Sequence, residues 1–222
     1  MSAGTATLPL GPLTDYLRAQ GLAGVEPIRV APLSGGQSNP TFRITADQNA
    51  YVLRKKPAGV LAPSAHAIDR EYRVMRALHG TDVPVPRMLA YCEDASIVGT
   101  PFYLMDFLQG RVFMDPALPD STPAERGAIY REMGRVIATL HSVDPVAVGL
   151  ADYGRTGQYE QRQIDRWSRQ CRALTVPLDD EMRKLMDCLP TQLPPGDETT
   201  LEHGDYRTDN LVFHTTEARV IS

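Results

Sequence analysis

The chain has 222 residues, of which 42% are hydrophobic and 23% charged, and its formal net charge is −4. This size and composition are typical of a globular protein and argue against disorder or a fibrous repeat. Because nucleic-acid binding usually needs a concentrated basic surface, the dispersed charges predict no nucleic-acid partner. No apolar run approaches the roughly 20 residues of a membrane span, and the N-terminus lacks a signal-peptide pattern. We therefore expect a cytoplasmic protein with no membrane span.

Three cysteines, Cys92, Cys171 and Cys188, lie far apart in the chain. Their number and spacing suit neither a disulfide framework nor a zinc site. We expect reduced thiols that are mostly buried.

The first half of the chain alternates between strand patterns and turns. A helical pattern interrupts it, with Ile68, Tyr72, Met75 and Leu78 on one face. Strands are predicted at 28–33, around Phe42 and Ile44, and at 51–54, 88–91 and 102–107. These five strands and one helix predict a first lobe, which we place at residues 1–108.

Helical patterns dominate from residue 109 onward, so we place a second lobe at 109–222, with the boundary near Gln109 and Gly110. Thr122, Pro123 and Glu125 form a capping box with proline at the first helical position. A second predicted helix contains Trp167, and a third follows residue 180. We expect Trp167, like Tyr159, to lie in the core or in a groove wall.

The segment His203-Gly204-Asp205-Tyr206-Arg207-Thr208-Asp209-Asn210 carries the strongest chemical signal, and a strand is predicted after it at 211–213. Phosphoryl transfer to a hydroxyl needs an aspartate at the acceptor and an asparagine, a few residues on, at a magnesium ion. Asp205 and Asn210 have that spacing. The alternative is a polar turn in which both residues make local backbone hydrogen bonds. The order of strands, helices and motif favours the phosphotransfer interpretation.

The chain resembles the aminoglycoside phosphotransferase and choline kinase family over nearly its whole length, and most of all the branch fused to, or encoded beside, acyl-CoA dehydrogenases. The resemblance is carried by Leu33-Ser34-Gly35-Gly36-Gln37-Ser38-Asn39, by Tyr51 to Pro57, by Asp69 to Val74, by Leu140 to Asp144 and by His203 to Phe213. It implies an α+β, protein-kinase-like two-lobe fold. An antiparallel sheet with a helix would form the N-terminal lobe, and the C-terminal lobe would be mainly helical and incomplete.

The resemblance also assigns residue roles. Asp205 becomes the catalytic base, Asn210 a magnesium ligand, and His203 a brace for the loop. A glycine-rich turn would cover the nucleotide phosphates with its backbone N–H groups; it consists of Ser34, Gly35, Gly36, Gln37, Ser38 and Asn39. A simple hairpin connection is the alternative for this turn.

Arg54 aligns with the cation that holds the phosphates, and Glu71 with its helix partner. Lys55, one residue on, should point to the opposite face of the strand. Asp106 and Phe107 end the strand that enters the hinge, where backbone groups meet the purine. The alternatives are a solvated strand end for Arg54, an exposed helix position for Glu71 and a plain core strand at 102–107.

The implied function is ATP- and Mg²⁺-dependent phosphorylation of a hydroxyl on a small molecule. The branch suggests a hydroxyacyl-CoA acceptor and a functional link to an acyl-CoA dehydrogenase. Alternatives are an inactive nucleotide-binding module and an aminoglycoside or choline-type kinase. A protein kinase is disfavoured because the motif reads His-Gly-Asp. Family members continue beyond a strand like 219–221 to a second metal-binding aspartate, so we expect a truncated chain that is weakly active or inactive.

Overall fold

The computed structural model describes residues 8–33, 39–59, 67–196 and 199–222. They form two compact units, one made of the described residues up to Ser142 together with Glu202–Ser222, and the other of Val143–Leu201. The lobe boundary near residue 109 stays a prediction. Within the described residues, no helix combines the length and apolar character that a membrane crossing requires.

A five-stranded sheet is the centre of the first unit. Its strands are β1 (Arg29–Pro32), β2 (Thr41–Ala46), β3 (Asn49–Lys55), β4 (Met88–Cys92) and β5 (Phe102–Asp106). They lie in the order β1-β2-β3-β5-β4, and every neighbouring pair is antiparallel. Burial alternates along β2, where Phe42 and Ile44 are buried and Arg43 is exposed. The predicted antiparallel sheet is confirmed.

Three helices accompany this sheet: α1 (Leu10–Ala19), α2 (Ile68–Leu78) and α3 (Ala95–Val98). Only α2 was predicted, so the expectation of a single helix in this part of the chain was wrong. Leu13 and Leu17 of α1, four residues apart on one helix face, are completely buried in the sheet core. Helix α1 begins after Pro9 without a side-chain cap, so its start carries none of the usual sequence signals.

Helix α4 (Pro123–His141) organises a second core. Thr122 caps it by accepting a hydrogen bond from the Glu125 N–H at 3.2 Å, with Pro123 in the first turn. Its buried face meets apolar side chains of the segment after Asn210; this core contains Leu118, Ile129, Met133, Val136, Leu211, Phe213 and Val220. The strand predicted at 211–213 is absent. Phe213 forms isolated β-bridges with Arg111 and Val220, because its backbone bonds are divided between two short partners.

The second unit contains α5 (Tyr159–Arg172) and α6 (Asp180–Cys188), so both predicted helices exist. The predicted burial was wrong in part. Trp167 is 55% exposed, because α5 packs within this unit on the small 3₁₀ turn Leu189–Thr191, which cannot cover its whole apolar face. Tyr159 is also exposed.

The cysteines are free, as expected, but they are not mostly buried. Cys92 is buried in the sheet core, Cys171 is partly buried and Cys188 is exposed.

Candidate active site

Arg54 and Glu71 meet in the structure. Arg54 lies on β3 and Glu71 in the first turns of α2, and Arg54 Nε is 2.9 Å from Glu71 Oε2. The two side chains are 28% and 35% exposed. Arg54 Nε is buried and has no aligned hydrogen-bond acceptor among the described residues. The contact is therefore a close ion pair in which Arg54 Nε forms no hydrogen bond to any described residue.

Glu71 has two further partners. Asn39 Nδ2 donates to its Oε1 at 2.9 Å, and the Tyr103 hydroxyl donates to its Oε2 at 3.0 Å. Both donors are 1% exposed. Burial, followed by the nearby Glu71 carboxylate, raises the pKa of Tyr103 above its usual range, so the hydroxyl remains a donor near neutral pH.

Asn39 is the described end of the predicted phosphate-covering turn. Ser34, Gly35, Gly36, Gln37 and Ser38 lie outside the described residues. The role of Tyr103 was missed by sequence reasoning, because it depends on strand register: Tyr103 lies directly opposite Arg54 across the β3–β5 pair.

Lys55 faces away from Glu71. Its amine donates to the Val98 carbonyl at the end of α3, and burial lowers its pKa. Since successive strand residues point to opposite faces, the structure leaves Arg54 as the β3 cation beside α2.

Asp106 and Phe107, the residues predicted to lie at a hinge, are bonded to Arg87, just before β4, and to Ala50 of β3. Arg87 holds the Asp106 carboxylate through two contacts of 3.0 and 3.2 Å. The Asp106 N–H donates to the Arg87 carbonyl, and the Phe107 N–H to the Ala50 carbonyl. Both N–H groups are therefore used within the protein, so a purine contact through these residues would use their carbonyl oxygens.

Asp205 and Asn210 contact each other directly. Asn210 Nδ2 donates to the backbone oxygen of Asp205 at 2.9 Å and to its Oδ2 at 2.8 Å. Arg207 Nε lies 3.5 Å from Asp205 Oδ1, and the Asp205 side chain is 66% exposed. The motif thus forms a closed loop that presents a carboxylate to solvent.

Because the amide nitrogen of Asn210 points at Asp205, its amide oxygen remains for another partner. Neutral amide oxygens are suitable ligands for Mg²⁺, so Asn210 fits the predicted role. The described residues contain no cluster of three or more His, Cys, Asp or Glu side chains that could hold a metal. A magnesium site at this loop stays a prediction.

His203 and Tyr206 support this loop. The Asp205 N–H donates to His203 Nδ1 at 3.4 Å, and the His203 ring lies edge-on to the Tyr206 ring at 5.4 Å. The Tyr206 hydroxyl donates to the Met133 carbonyl of α4 at 2.8 Å. Although the His203 residue keeps exposed surface, desolvation of its ring lowers its pKa, which favours the neutral, accepting imidazole. This placement fits the predicted brace.

Arg111 anchors the segment that follows the loop. Its backbone exchanges two 2.8 Å hydrogen bonds with Phe213. Its guanidinium donates to the carbonyls of His214 and Glu217 and pairs with Glu125 at 3.0 Å. Sequence reasoning missed Arg111, because its carbonyl partners lie more than 100 residues away.

Comparison with known proteins gives a family. The model of the phosphotransferase enzyme family matches residues 29–221. The chain is 45% identical over 221 residues to acyl-CoA dehydrogenase family member 10 of Mus musculus, covering 98% of this chain and 20% of the relative. It is 48% identical over 196 residues to acyl-CoA dehydrogenase family member 11 of Gallus gallus, covering 88% and 25%. The chain thus spans a fifth to a quarter of these relatives.

Solved structures give the same fold. A Ralstonia eutropha protein, named as a candidate aminoglycoside phosphotransferase, aligns with a TM-score of 0.86 and 47% identity over 97% of this chain and 64% of its own. The complex of APH(2'')-IIa with streptomycin and ATP aligns with a TM-score of 0.63 and 16% identity, over 96% and 68%. At that identity the second likeness shows only the fold. With the family model and the close relatives, it follows that the chain belongs to the phosphotransferase enzyme family, with the kinase-like fold of the aminoglycoside phosphotransferases.

Proposed function

We propose that this chain carries the nucleotide site and catalytic loop of an ATP-dependent phosphotransferase whose acceptor is a hydroxyl group on a small molecule. The contact between Asp205 and Asn210 carries the proposal. It places an exposed carboxylate beside an amide oxygen suited to Mg²⁺, in a member of a phosphotransferase family.

In the proposed reaction, Asp205 accepts the proton of the acceptor hydroxyl. The hydroxyl oxygen forms a bond to the γ-phosphorus of ATP, the bond from that phosphorus to the β–γ bridging oxygen breaks, and ADP leaves. Bound Mg²⁺ would neutralise charge on the phosphates, with Asn210 as one ligand. Arg54, paired with Glu71, would orient the phosphates through its guanidinium.

For the acceptor we propose a hydroxyacyl-CoA. The support comes from relatives named as acyl-CoA dehydrogenase family members, which match this chain at 45% and 48% identity. An enzyme that acts on acyl-CoA and a kinase of hydroxyacyl-CoA would both bind an acyl thioester of coenzyme A. Aminoglycosides are less well supported, because the structures that contain them, such as APH(2'')-IIa with streptomycin, share 16% identity with this chain, and the 47% identical Ralstonia eutropha protein is named only as a candidate aminoglycoside phosphotransferase.

The test is a calorimetric titration with Mg-ATP, followed by measurement of ADP formation with three acceptors: a hydroxyacyl-CoA, the same acyl-CoA without the hydroxyl, and an aminoglycoside. Because the chain spans 64% of the Ralstonia eutropha protein, a version extended beyond Ser222 is measured alongside it. We expect ADP formation that requires both Mg²⁺ and the acceptor hydroxyl. Binding without transfer in both versions would favour a nucleotide-binding module, and no binding in either would refute the nucleotide site.

A further inference from the structure

The terminal amino groups of Arg54 are the starting point. The shortest contact between Arg54 and Glu71 runs from Nε to Oε2 at 2.9 Å, whereas the hydrogen bonds to Glu71 among the described residues come from Asn39 and Tyr103. An arginine and a carboxylate often pair through two parallel N–H···O bonds. Such a bidentate pair would turn one terminal amino group of Arg54 toward Glu71 and away from a ligand.

The other two donors fix the orientation of the Glu71 carboxylate. Asn39 occupies Oε1 of Glu71 at 2.9 Å, and Tyr103 occupies Oε2 at 3.0 Å. Both donors are almost completely buried and both are fixed by the sheet. Tyr103 lies within β5, opposite Arg54, and the Asn39 carbonyl accepts a bond from Thr41 at the start of β2. The carboxylate therefore has a defined orientation before any ligand arrives.

We propose that Asn39 and Tyr103 are positioning residues for nucleotide phosphates: by each holding one oxygen of Glu71, they fix the carboxylate against Nε of Arg54, so that the terminal amino groups of Arg54 are left for phosphate oxygens. This inference rests on the proposed function. It gives Asn39 a side-chain task in addition to any backbone contact made by the turn that precedes it.

Tyr103→Phe is the sharpest test, because it removes one oxygen atom and keeps the buried ring. The affinities for Mg-ATP, ADP and adenosine are measured by calorimetry or by competition. We expect about a fivefold loss for ATP and ADP, the effect of one typical hydrogen bond. Adenosine has no phosphate, so its affinity should stay unchanged.

Tyr91→Phe is the matched control. Tyr91 lies opposite Tyr103 in the β4–β5 pair and packs on Tyr72 of α2 at 5.4 Å, but no hydrogen bond joins it to Glu71. It should leave all three affinities unchanged. Asn39→Asp, which keeps the size but replaces the donor with a second carboxylate, should exceed the effect of Tyr103→Phe.

A double-mutant cycle tests whether the hydroxyl acts through Arg54. The ammonium of Arg54→Lys cannot form a bidentate pair. In that background, Tyr103→Phe should therefore have little further effect on the affinity for ATP. Equal losses for adenosine and ATP, or an equal effect of Tyr103→Phe in both backgrounds, would refute the positioning role. If the wild-type chain binds ATP and Tyr103→Phe binds it equally well, only this inference fails; if the wild type does not bind, the proposed function fails as well.

Discussion

Glu71 and Asp205 are the two central carboxylates of the candidate site, and the protein holds them in different ways. Glu71 is bonded to Asn39 and Tyr103, each 32 residues away in sequence. Asp205 is bonded to Asn210, five residues away, and its side chain is 66% exposed against 35% for Glu71. The position of Glu71 thus depends on the sheet and α2, whereas the geometry around Asp205 is local. Changes at Glu71 should alter stability and binding together, and changes at Asp205 should alter chemistry alone.

Asp205→Asn should have the largest effect. Removing a general base typically costs a factor of 10² to 10⁴, so we expect phosphoryl transfer to fall roughly a thousandfold. The amide oxygen of the new side chain can still accept the bond from Asn210, so the melting temperature should stay unchanged. Asp187→Asn, at an exposed position of α6, is the matched control. A protein that keeps its turnover would show that Asp205 is not the base.

Gly110→Ala tests whether the exposed loop depends on the structure beneath it. A Cβ at residue 110 would lie 2.3 Å from the Phe213 carbonyl oxygen and 2.5 Å from a Val212 methyl group. Because the carbonyl belongs to the bridge with Arg111, it cannot move cheaply, and we expect a loss of about 3 kcal/mol in the free energy of unfolding.

Gly134→Ala is its control, since nothing lies within 4 Å of the added atom in α4. That change should be neutral or stabilising by up to about 1 kcal/mol, from helix propensity. Equal melting temperatures for the two variants would mean that the segment around Phe213 adapts freely.

Glu71→Gln tests the carboxylate whose position depends on the sheet and α2. The new amide has one oxygen for two buried donors, Asn39 and Tyr103. Its NH₂ group must therefore face one of these donors, which loses its hydrogen-bond acceptor. An unsatisfied buried group costs about 1 to 3 kcal/mol, and we expect about 2 kcal/mol from denaturant unfolding, together with weaker ATP binding. Weaker binding without any loss of stability would mean that Glu71, like Asp205, affects function without supporting the fold.

The sequence predicted the sheet well because its strands obey simple rules. Phe42 and Ile44 alternate with less buried residues on β2, and the segment before α2 contains Pro57, Gly59 and Pro63. Helix α4 was found through Thr122 and Pro123, whose capping chemistry is written in four adjacent residues. Helix α1 was missed because Pro9 supplies no such signal, and its burial becomes evident only when Leu13 and Leu17 are seen against the sheet.

The candidate site divides in the same way. Asp205 and Asn210 could be predicted from the sequence, because the two residues in contact are only five positions apart. Arg54 and Glu71 could be paired through family resemblance alone. Tyr103 could not be found from sequence, since its bond to Glu71 needs both the β3–β5 register and the approach of α2. Local spacing therefore predicts the loop, and long-range packing determines what surrounds Glu71.

Glu132→Gln should have the smallest effect, and it tests the charged part of the support beneath the loop. Glu132 on α4 accepts the Val220 N–H at 3.1 Å and two bonds from Arg135. The Arg135 bonds lower its pKa against the opposing effect of burial.

A lowered folded-state pKa stabilises the fold above the ordinary glutamate pKa, and this stabilisation is lost as the pH falls through the lowered value. Since Arg135 is 53% exposed, we expect only about 0.5 kcal/mol at pH 7. The gap in melting temperature between wild type and Glu132→Gln should narrow as the pH falls below the ordinary glutamate pKa and close once Glu132 is protonated in the folded state. Glutamine still accepts the Val220 N–H, so a gap that stays constant with pH would mean that shape and not charge supports the segment under Asp205.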